Sequence, residues 1–122
     1  MGTSHLRRGI AAERLAAEYL QARGRTVLAR NLRCRAGELD LACLDGGVLA
    51  IVEVRRRDGD EFGGALASIT PRKQRRIILS AQFFLQRRPG WRGRIMRFDV
   101  IGIRGSRSGA PRIVWIKDAF RA

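Results

Sequence analysis

Two acidic residues interrupt stretches that are otherwise apolar. Glu53 directly follows Val48–Val52, the longest uninterrupted apolar run in the chain. Such a run predicts a strand that is buried on both faces. An ionised carboxylate is costly in that position unless a cation or a metal ion accompanies it. Asp40 lies in the middle of the preceding predicted strand, so these two acids are the first candidates for chemistry.

The tripeptide Asp45-Gly46-Gly47 is a tight-turn signal that would join the two strands into a hairpin. With a turn centred on residue 46, the numbers of paired residues sum to about 92, so Asp40 falls opposite residue 52 and one position from Glu53. Neighbouring carboxylates repel each other unless a cation lies between them. Two carboxylates, a backbone carbonyl and water would make a site for Mg²⁺ (or Mn²⁺). Such an ion can bind a phosphate oxygen and lower the pKa of an attacking water.

A structural alternative explains the same pattern. Arg55 lies two residues beyond Glu53 and hence on the same face of the predicted strand. An ordinary buried ion pair between Arg55 and either Asp40 or Glu53 would need no metal. The spacing alone therefore leaves the metal site and the ion pair open.

A third acid comes from the first predicted helix, which runs from Ser4 to about Arg23 and ends at Gly24. Position 13 fills the gap of seven residues in the apolar stripe of this helix. The members of the stripe are Leu6, Ile10, Ala17 and Leu20. Glu13 therefore lies on the apolar face, where a solvated surface acid has no reason to be.

The elements around these acids predict a mixed α/β fold in the order α-β-β-β-α-β-β, with a central mixed sheet flanked by helices. The length of 122 residues fits a single domain over residues 1–122. The predicted strands are Val27–Arg33, Glu38–Leu44, Val48–Arg56, Arg94–Ile103 and Arg112–Lys117. The second helix begins after the N-cap Thr70 and runs to about Arg87.

The charge balance favours a polyanionic partner. The chain has 25 Lys and Arg against 11 Asp and Glu, a net charge of +14, and all but two of its cations are arginine. Each neutralised phosphate releases counterions, and arginine makes bidentate phosphate contacts. A GC-rich genome would explain arginine over lysine but not the scarcity of acids. A membrane or ribosomal surface is the competing partner.

Basic residues gather at the start of the second helix and after its end, although cations in a first turn oppose the helix dipole. A phosphate backbone is the natural reason for them. Trp91 either stacks on an unpaired base or covers the core as a loop anchor. The residues predicted to contact nucleic acid are Arg56, Arg57, Arg72, Arg75, Arg76, Trp91 and Arg92.

The lengths of the apolar runs and the cysteine and histidine content indicate the cellular compartment of the protein. Val48–Val52 is far too short to span a bilayer, and no secretory signal is visible at the N-terminus. Cys34 and Cys43 are the only cysteines and His5 is the only histidine, so no zinc constellation exists. These features predict a cytoplasmic protein with reduced thiols and no membrane partner.

Asp40 followed by Glu53-Val54-Arg55 resembles the signature of the restriction-endonuclease-like superfamily, in which an Asp precedes an acid-any-Lys tripeptide on the next strand. The wider pattern resembles the YraN family, small bacterial endonuclease-like proteins that are related to archaeal Holliday junction resolvases. The similar stretches cover most of the chain. They are Gly9 to Leu20, Arg30–Arg33, Gly37–Leu41, Val52–Arg57, Phe62-Gly63, Thr70 with Lys73, and Arg97–Val100.

This resemblance implies a restriction-endonuclease-like core and a metal-dependent endonuclease that acts on DNA, including branched or recombination intermediates. Asp40 and Glu53 would be the metal ligands, and Glu13 a further acid in the site. Glu38 would be a supporting acid, or alternatively a surface acid at the edge of a turn. A homodimer would suit the cutting of two strands.

One position departs from the family pattern, because Arg55 stands where a lysine is expected. Arginine stays protonated and cannot act as a base. Lys73 could supply a relocated lysine, or the metal with Arg55 could suffice. Alternatively, catalysis has been lost and a nucleic-acid-binding module remains. A basic RNA- or ribosome-associated domain is a third, weaker hypothesis.

Overall fold

The computed structural model describes residues 2–57, 63–105 and 109–122. Five strands form one sheet in the order β1-β2-β3-β4-β5. The strands are β1 (Thr26–Cys34), β2 (Gly37–Asp45), β3 (Val48–Arg56), β4 (Met96–Arg104) and β5 (Arg112–Phe120). Only β3 and β4 are parallel, and the other neighbours pair antiparallel. The sheet is therefore mixed, as the sequence predicts.

Helices cover both faces of this sheet. Helix α1 (Gly2–Ala22) precedes β1, and helices α2 (Gly63–Ala67) and α3 (Pro71–Arg87) lie in the crossover from β3 to β4. Leu20 of α1 packs in one apolar cluster, whose strand residues include Leu41 and Val52. Phe84 of α3 packs in a second cluster, whose strand residues include Ile51. Because Ile51 and Val52 are neighbours in a strand, the two helices lie on opposite faces.

Most predicted elements are present. The bounds predicted for β3 are confirmed, and six consecutive residues of that strand are buried, as expected for a strand covered on both faces. The predicted cap of α3 is also confirmed, because Thr70 Oγ1 accepts a hydrogen bond from the Lys73 backbone N–H at 3.3 Å. The short helix α2 was not predicted. It follows residues 58–62, which lie outside the described residues.

The predicted apolar stripe of α1 needs one correction. Ile10 is 48% exposed, whereas Ala12, Glu13 and Ala16 are buried. The buried positions 12, 13, 16, 17 and 20 repeat at helical spacing and end on the predicted members Ala17 and Leu20. The Leu6 side chain lies outside the described residues. None of the helices in the described ranges is long and apolar enough to cross a membrane.

Candidate metal centre

The β2–β3 hairpin brings Asp40 and Glu53 to the same level of the sheet. Paired residues run from Asp45–Val48 to Leu41–Val52, and in each pair the two numbers sum to 93. Continuing this register by one step places Asp40 opposite Glu53. The predicted register was wrong by one residue, because the turn leaves two residues, Gly46 and Gly47, between the last pair instead of one at its centre.

Beyond the Leu41–Val52 pair, backbone N–H groups of β2 and β3 face the carboxylates of Asp40 and Glu53 instead of backbone carbonyls. The Val54 N–H donates to Asp40 Oδ2 at 2.9 Å, and the Asp40 N–H lies 3.5 Å from Glu53 Oε2. Both acids are buried, with Asp40 6% and Glu53 5% exposed. Each carboxylate is therefore oriented by a backbone N–H of the neighbouring strand.

The side chains of β2 do not alternate regularly between the two faces of the sheet at Asp40. Leu39 packs in the cluster of α3, whereas Leu41 and Cys43 pack in the cluster of α1. Strict alternation along Glu38–Leu44 would place all three on one face, so Leu39 departs from the regular pattern of a strand. Asn31 in β1 has a positive φ of 52° and lies between the pairs Arg30–Leu41 and Leu32–Leu39. The positive φ in β1 and the break in side-chain alternation in β2 therefore lie at the same level of the sheet, that of Asp40.

Two further acids join Asp40. One carboxylate oxygen each of Glu13, Glu38 and Asp40 lies within 4.8 Å of the others. Glu13 reaches this point from α1 and is 9% exposed, which confirms its predicted place on the buried face. Glu38 is exposed, and its Oε2 lies 3.2 Å from Arg33 Nε. Glu53 lies beside this group of three, because its Oε2 is 3.5 Å from the Asp40 backbone nitrogen.

Burial and mutual repulsion raise the pKa values of these acids. Burial, then the charge of Asp40, raises the pKa of Glu53 to about 8. The same two causes raise the pKa of Glu13 to about 7. Burial also raises the pKa of Asp40, although the Val54 N–H opposes this.

Two arginines contact this cluster: Arg33 pairs with Glu38, and Arg55 Nη2 lies 3.6 Å from Glu53 Oε1. Arg55 Nη1 donates to the Val54 carbonyl at 3.3 Å, and its buried Nε has no hydrogen-bond partner among the described residues. The predicted alternative of an ordinary ion pair therefore accounts for Glu53, whereas within the described residues no ion pair joins Asp40 or Glu13 to a cation, although the charge of Arg55 lowers the pKa of Asp40. The donor set of clustered carboxylates fits a divalent ion that prefers oxygen ligands.

The acids at the other end of the hairpin provide a contrast. Asp45 accepts from Arg25 at 2.6 Å, Arg97 at 2.7 Å and Lys117 at 2.9 Å. These partners hold the pKa of Asp45 well below its usual range, against the effect of burial. Asp99 is fully buried and is also bonded to Arg97. Asp45 and Asp99 are therefore paired directly with cations, whereas in the part of the chain that the structure describes no ion pair of Asp40 or Glu13 is present.

Lys73 lies in the first turn of α3 and is exposed. Within the described parts of the chain, no ion pair joins Lys73 to Asp40 or Glu53, whereas Arg55 makes such a contact. The relocated lysine stays a prediction.

Trp91 is only 4% exposed, and its ring packs against Phe84 with a centroid distance of 6.5 Å. A buried indole cannot stack on a base, so the alternative of a loop anchor over the core describes Trp91 better. The other predicted nucleic-acid contacts are exposed. They are Arg56, Arg57, Arg72, Arg75, Arg76 and Arg92.

Asn31 is the residue of this site to which the sequence assigned no role. Its side chain lowers the pKa of Glu13, against the effect of burial. Asn31 lies in one of the stretches that carry the family resemblance, but its left-handed backbone has no signal in the pattern of the strand.

Residues 12–103 match the sequence model of a family described as Uncharacterised protein family UPF0102. A UPF0102 protein of Pseudomonas putida strain GB-1 is 50% identical over 117 residues, which cover 96% of this chain and 95% of that protein. A UPF0102 protein of Nitrosococcus oceani is 49% identical over 118 residues, covering 97% and 94% of the two chains. The chain belongs to the UPF0102 (YraN) family.

Proposed function

We propose that this protein is a metal-dependent endonuclease that hydrolyses phosphodiester bonds in DNA. The observation that carries the proposal is the group of Glu13, Glu38 and Asp40 with Glu53 beside it, of which all but Glu38 are buried. Arg55 contacts Glu53 and Arg33 pairs with the exposed Glu38. A cluster of four carboxylates, of which only two pair with an arginine among the described residues, is unfavourable without an ion, and it is a suitable ligand set for Mg²⁺ or Mn²⁺.

Asp40 and Glu53 are the proposed metal ligands, with Glu13 and Glu38 as further acids on the same side. A divalent ion held there would polarise a phosphate oxygen and activate water for attack. The backbone N–H groups of Val54 and Asp40 hold the two ligand carboxylates in place before any ion binds. This preorganisation limits the rearrangement that binding requires.

Arg55 is placed to act on the substrate. Its guanidinium lies beside Glu53, and its side chain is 21% exposed, so part of it reaches solvent. A guanidinium stabilises the negative charge that grows on a phosphate during hydrolysis, but it cannot remove a proton from water. In this proposal Arg55 supplies electrostatic stabilisation, and the acids with the ion supply the activation of water.

The partner is proposed from charge. A net charge of +14 and the exposed Arg72, Arg75 and Arg76 at the start of α3 favour a phosphate backbone. DNA, and branched or recombination intermediates within it, follow from the resemblance to the resolvase-related family.

A binding module without turnover is the second candidate. The observation that favours it is Arg55 at the position where the superfamily has lysine. Such a protein would hold DNA through the same basic residues and serve as an accessory to DNA processing.

A cleavage assay separates the two candidates. Wild type is incubated with Mg²⁺ or Mn²⁺ and with supercoiled, single-stranded or four-way-junction DNA, beside Glu53→Gln and the matched control Glu18→Gln. Glu18 is an exposed acid of α1, so its substitution removes the same charge away from the buried cluster.

The endonuclease proposal expects ion-dependent cleavage by wild type and by Glu18→Gln, and loss of cleavage with retained DNA binding in Glu53→Gln. Salt-sensitive binding without cleavage under either ion would favour the binding module. If wild type neither binds nor cuts DNA, both candidates are wrong.

A further inference from the structure

Four arginines gather where α3 ends, and we call them the arginine cluster. Arg87 lies in the last turn of α3, Arg88 follows it, and Arg92 and Arg94 come after a short 3-10 helix. No acid occurs in residues 87–94. The dipole of a helix favours cations at its C-terminal end. This explains Arg87 and Arg88, but Arg92 and Arg94 lie beyond the helix and need another reason.

Hydrogen bonds to backbone carbonyls hold two of these side chains. Arg94 Nε donates to the Gly90 carbonyl at 2.9 Å, and Arg87 Nη1 donates to the Phe83 carbonyl at 3.3 Å. Each bond uses one N–H of a guanidinium that has five. The bonds therefore orient the side chains and leave most of their donors for a ligand.

The third side chain, Arg88, is held by aromatic rings. Its guanidinium carbon lies 5.7 Å from the ring centroid of Phe84 and 5.6 Å from that of Trp91. Within the described ranges, no ion pair joins any member of the arginine cluster to a carboxylate. The positive charge of the cluster is therefore not compensated by these parts of the chain.

A cavity of about 440 Å³ lies beside the arginine cluster. Its described lining includes no acid and combines apolar side chains of β1 and β2 with cations, among them Leu28, Leu44, Arg87, Arg88, Pro89 and Arg94. Asp45 follows Leu44, but its carboxylate is already bonded to three other cations. The charge of the lining is therefore complementary to an anion.

The cavity is separate from the acidic site. Leu44 lies four residues along β2 from Asp40, which corresponds to about 13 Å at a rise of about 3.3 Å per residue. An anion beside the arginine cluster would therefore not contact a metal ion held by Asp40.

We infer that the arginine cluster is a second binding surface for the phosphate backbone of DNA, at the end of the β2–β3 hairpin away from the acidic site. Guanidinium groups bind phosphate oxygens through two parallel N–H donors. The indole of Trp91 supports Arg88 and does not stack on a base. This inference rests on the proposed DNA partner but not on the metal.

The test compares two pairs of substitutions that remove the same charge. Arg88→Gln with Arg94→Gln changes the arginine cluster. Arg23→Gln with Arg121→Gln is the matched control, at two exposed arginines that do not line the cavity. Fluorescence anisotropy with labelled duplex DNA, without divalent ions, gives the affinity at several salt concentrations. Calorimetry with inorganic pyrophosphate is the second arm.

We expect the cluster pair to weaken DNA binding by about tenfold or more at low salt and to flatten the dependence of log K on log salt by about 1.8, or 0.9 for each lost phosphate contact. Arg88→Lys with Arg94→Lys should keep the wild-type slope, because it keeps both charges. Equal flattening by the control pair would overturn the inference, because net charge alone would then explain binding.

Two other outcomes would also overturn the inference. A cluster pair with the wild-type slope would do so while leaving the endonuclease proposal intact, since the DNA would then lie elsewhere. Weaker pyrophosphate binding with unchanged DNA binding would assign the cavity to a small phosphorylated ligand. Conversely, a flattened slope in the cluster pair alone supports the inference even if wild type cleaves no DNA.

A measurement on wild type keeps the inference testable if the cluster pair does not fold. Arg94 Nε is bonded to the Gly90 carbonyl, and Arg121 Nε lies 3.2 Å from Asp118 Oδ2, so the two Nε–H groups are comparable NMR probes. Duplex DNA added without metal should shift the Arg94 Nε–H signal and leave that of Arg121 in place. No shift at Arg94 under saturating DNA would overturn the inference.

Discussion

The Val54 N–H donates to Asp40 Oδ2 at 2.9 Å, beyond the last regular pair of β2 and β3. A carboxylate of the candidate site therefore accepts a hydrogen bond from the strand that carries Glu53. Asp40 has two separable roles, one in satisfying a buried backbone donor and one in the acidic cluster.

The first prediction separates these roles with Asp40→Asn and Asp40→Ala. Asparagine retains an oxygen that can accept from Val54, whereas alanine leaves that N–H without a partner. We expect Asp40→Ala to be less stable than Asp40→Asn by about 1–3 kcal/mol, the cost of an unsatisfied buried group. Urea unfolding measures the difference. Both variants should lose cleavage, and equal stabilities would show that the hydrogen bond contributes nothing.

The second prediction concerns pH and the metal-free protein. The pKa of Glu53 is raised from 4.5 to about 8 in the folded state, so folding favours the protonated form. The resulting stability is fully present below pH of about 4.5 and is lost as the pH rises through about 8. We expect the free energy of unfolding to fall between these limits, on the order of a few kcal/mol. Denaturant titrations from pH 5 to 9 measure it.

Glu53→Gln is the control for this pH dependence. The neutral amide cannot ionise, so much of the decline should disappear, and the variant should exceed wild type in stability at pH 9. Mg²⁺ added at that pH should stabilise wild type more than Glu53→Gln. A wild-type stability that is flat with pH would show that Glu53 is not destabilised by its surroundings.

The third prediction concerns the cation of the site. Arg55→Ala should lower the cleavage rate by about 100-fold, the usual effect of removing one group that stabilises the transition state. Arg55→Lys should retain most activity, because lysine keeps the positive charge that the proposed mechanism requires at this position. Lys73→Ala, at an exposed position of α3, should be nearly silent. The reverse result, a large loss in Lys73→Ala alone, would assign the role to Lys73.

The fourth prediction tests the basic start of α3. Replacing Arg72, Arg75 and Arg76 by glutamine should flatten the dependence of log K on log salt by about 0.9 for each phosphate contact that is lost. Fluorescence anisotropy with labelled duplex DNA at several salt concentrations measures the slope. Trp91→Phe is the control: the buried ring does not face DNA, so the slope should stay unchanged while stability falls. A variant slope equal to that of wild type would place the DNA elsewhere.

The fifth prediction addresses the far end of the hairpin. Asp45→Asn should destabilise the protein by about 3 kcal/mol, because it leaves Arg25, Arg97 and Lys117 without their shared carboxylate. The pKa of Asp45 is lowered in the folded state, so its contribution is present above pH of about 4 and is lost as the pH falls below that value. Thermal unfolding at pH 7 and pH 3 measures both effects, and cleavage per folded molecule should not change.

Local signals predicted much of this architecture. The apolar run before Glu53 predicted β3, and Thr70 predicted the start of α3, because burial and capping are encoded in neighbouring residues. The turn at Gly46 and Gly47 predicted that Asp40 and Glu53 lie close together. The sequence did not predict the exact register of the β2–β3 hairpin, since a shift of one residue depends on the backbone geometry of the turn.

Other features depend on several strands at once. Leu39 and Leu41 lie on opposite faces of the sheet, whereas strict alternation, which holds only for regular strands, would place them on one face. The positive φ of Asn31 cannot be read from the sequence pattern of β1. The burial of Trp91 depends on how α3 packs. The composition of the acidic cluster could therefore be anticipated, but its supporting contacts could not.

Anomalous scattering from Mn²⁺ in crystals shows whether Asp40 and Glu53 bind a divalent ion. We expect an anomalous peak within coordination distance of both carboxylates, with none in Glu53→Gln crystals soaked identically. A structure that shows no peak there, under Mn²⁺ concentrations at which the same protein cleaves DNA, would contradict it.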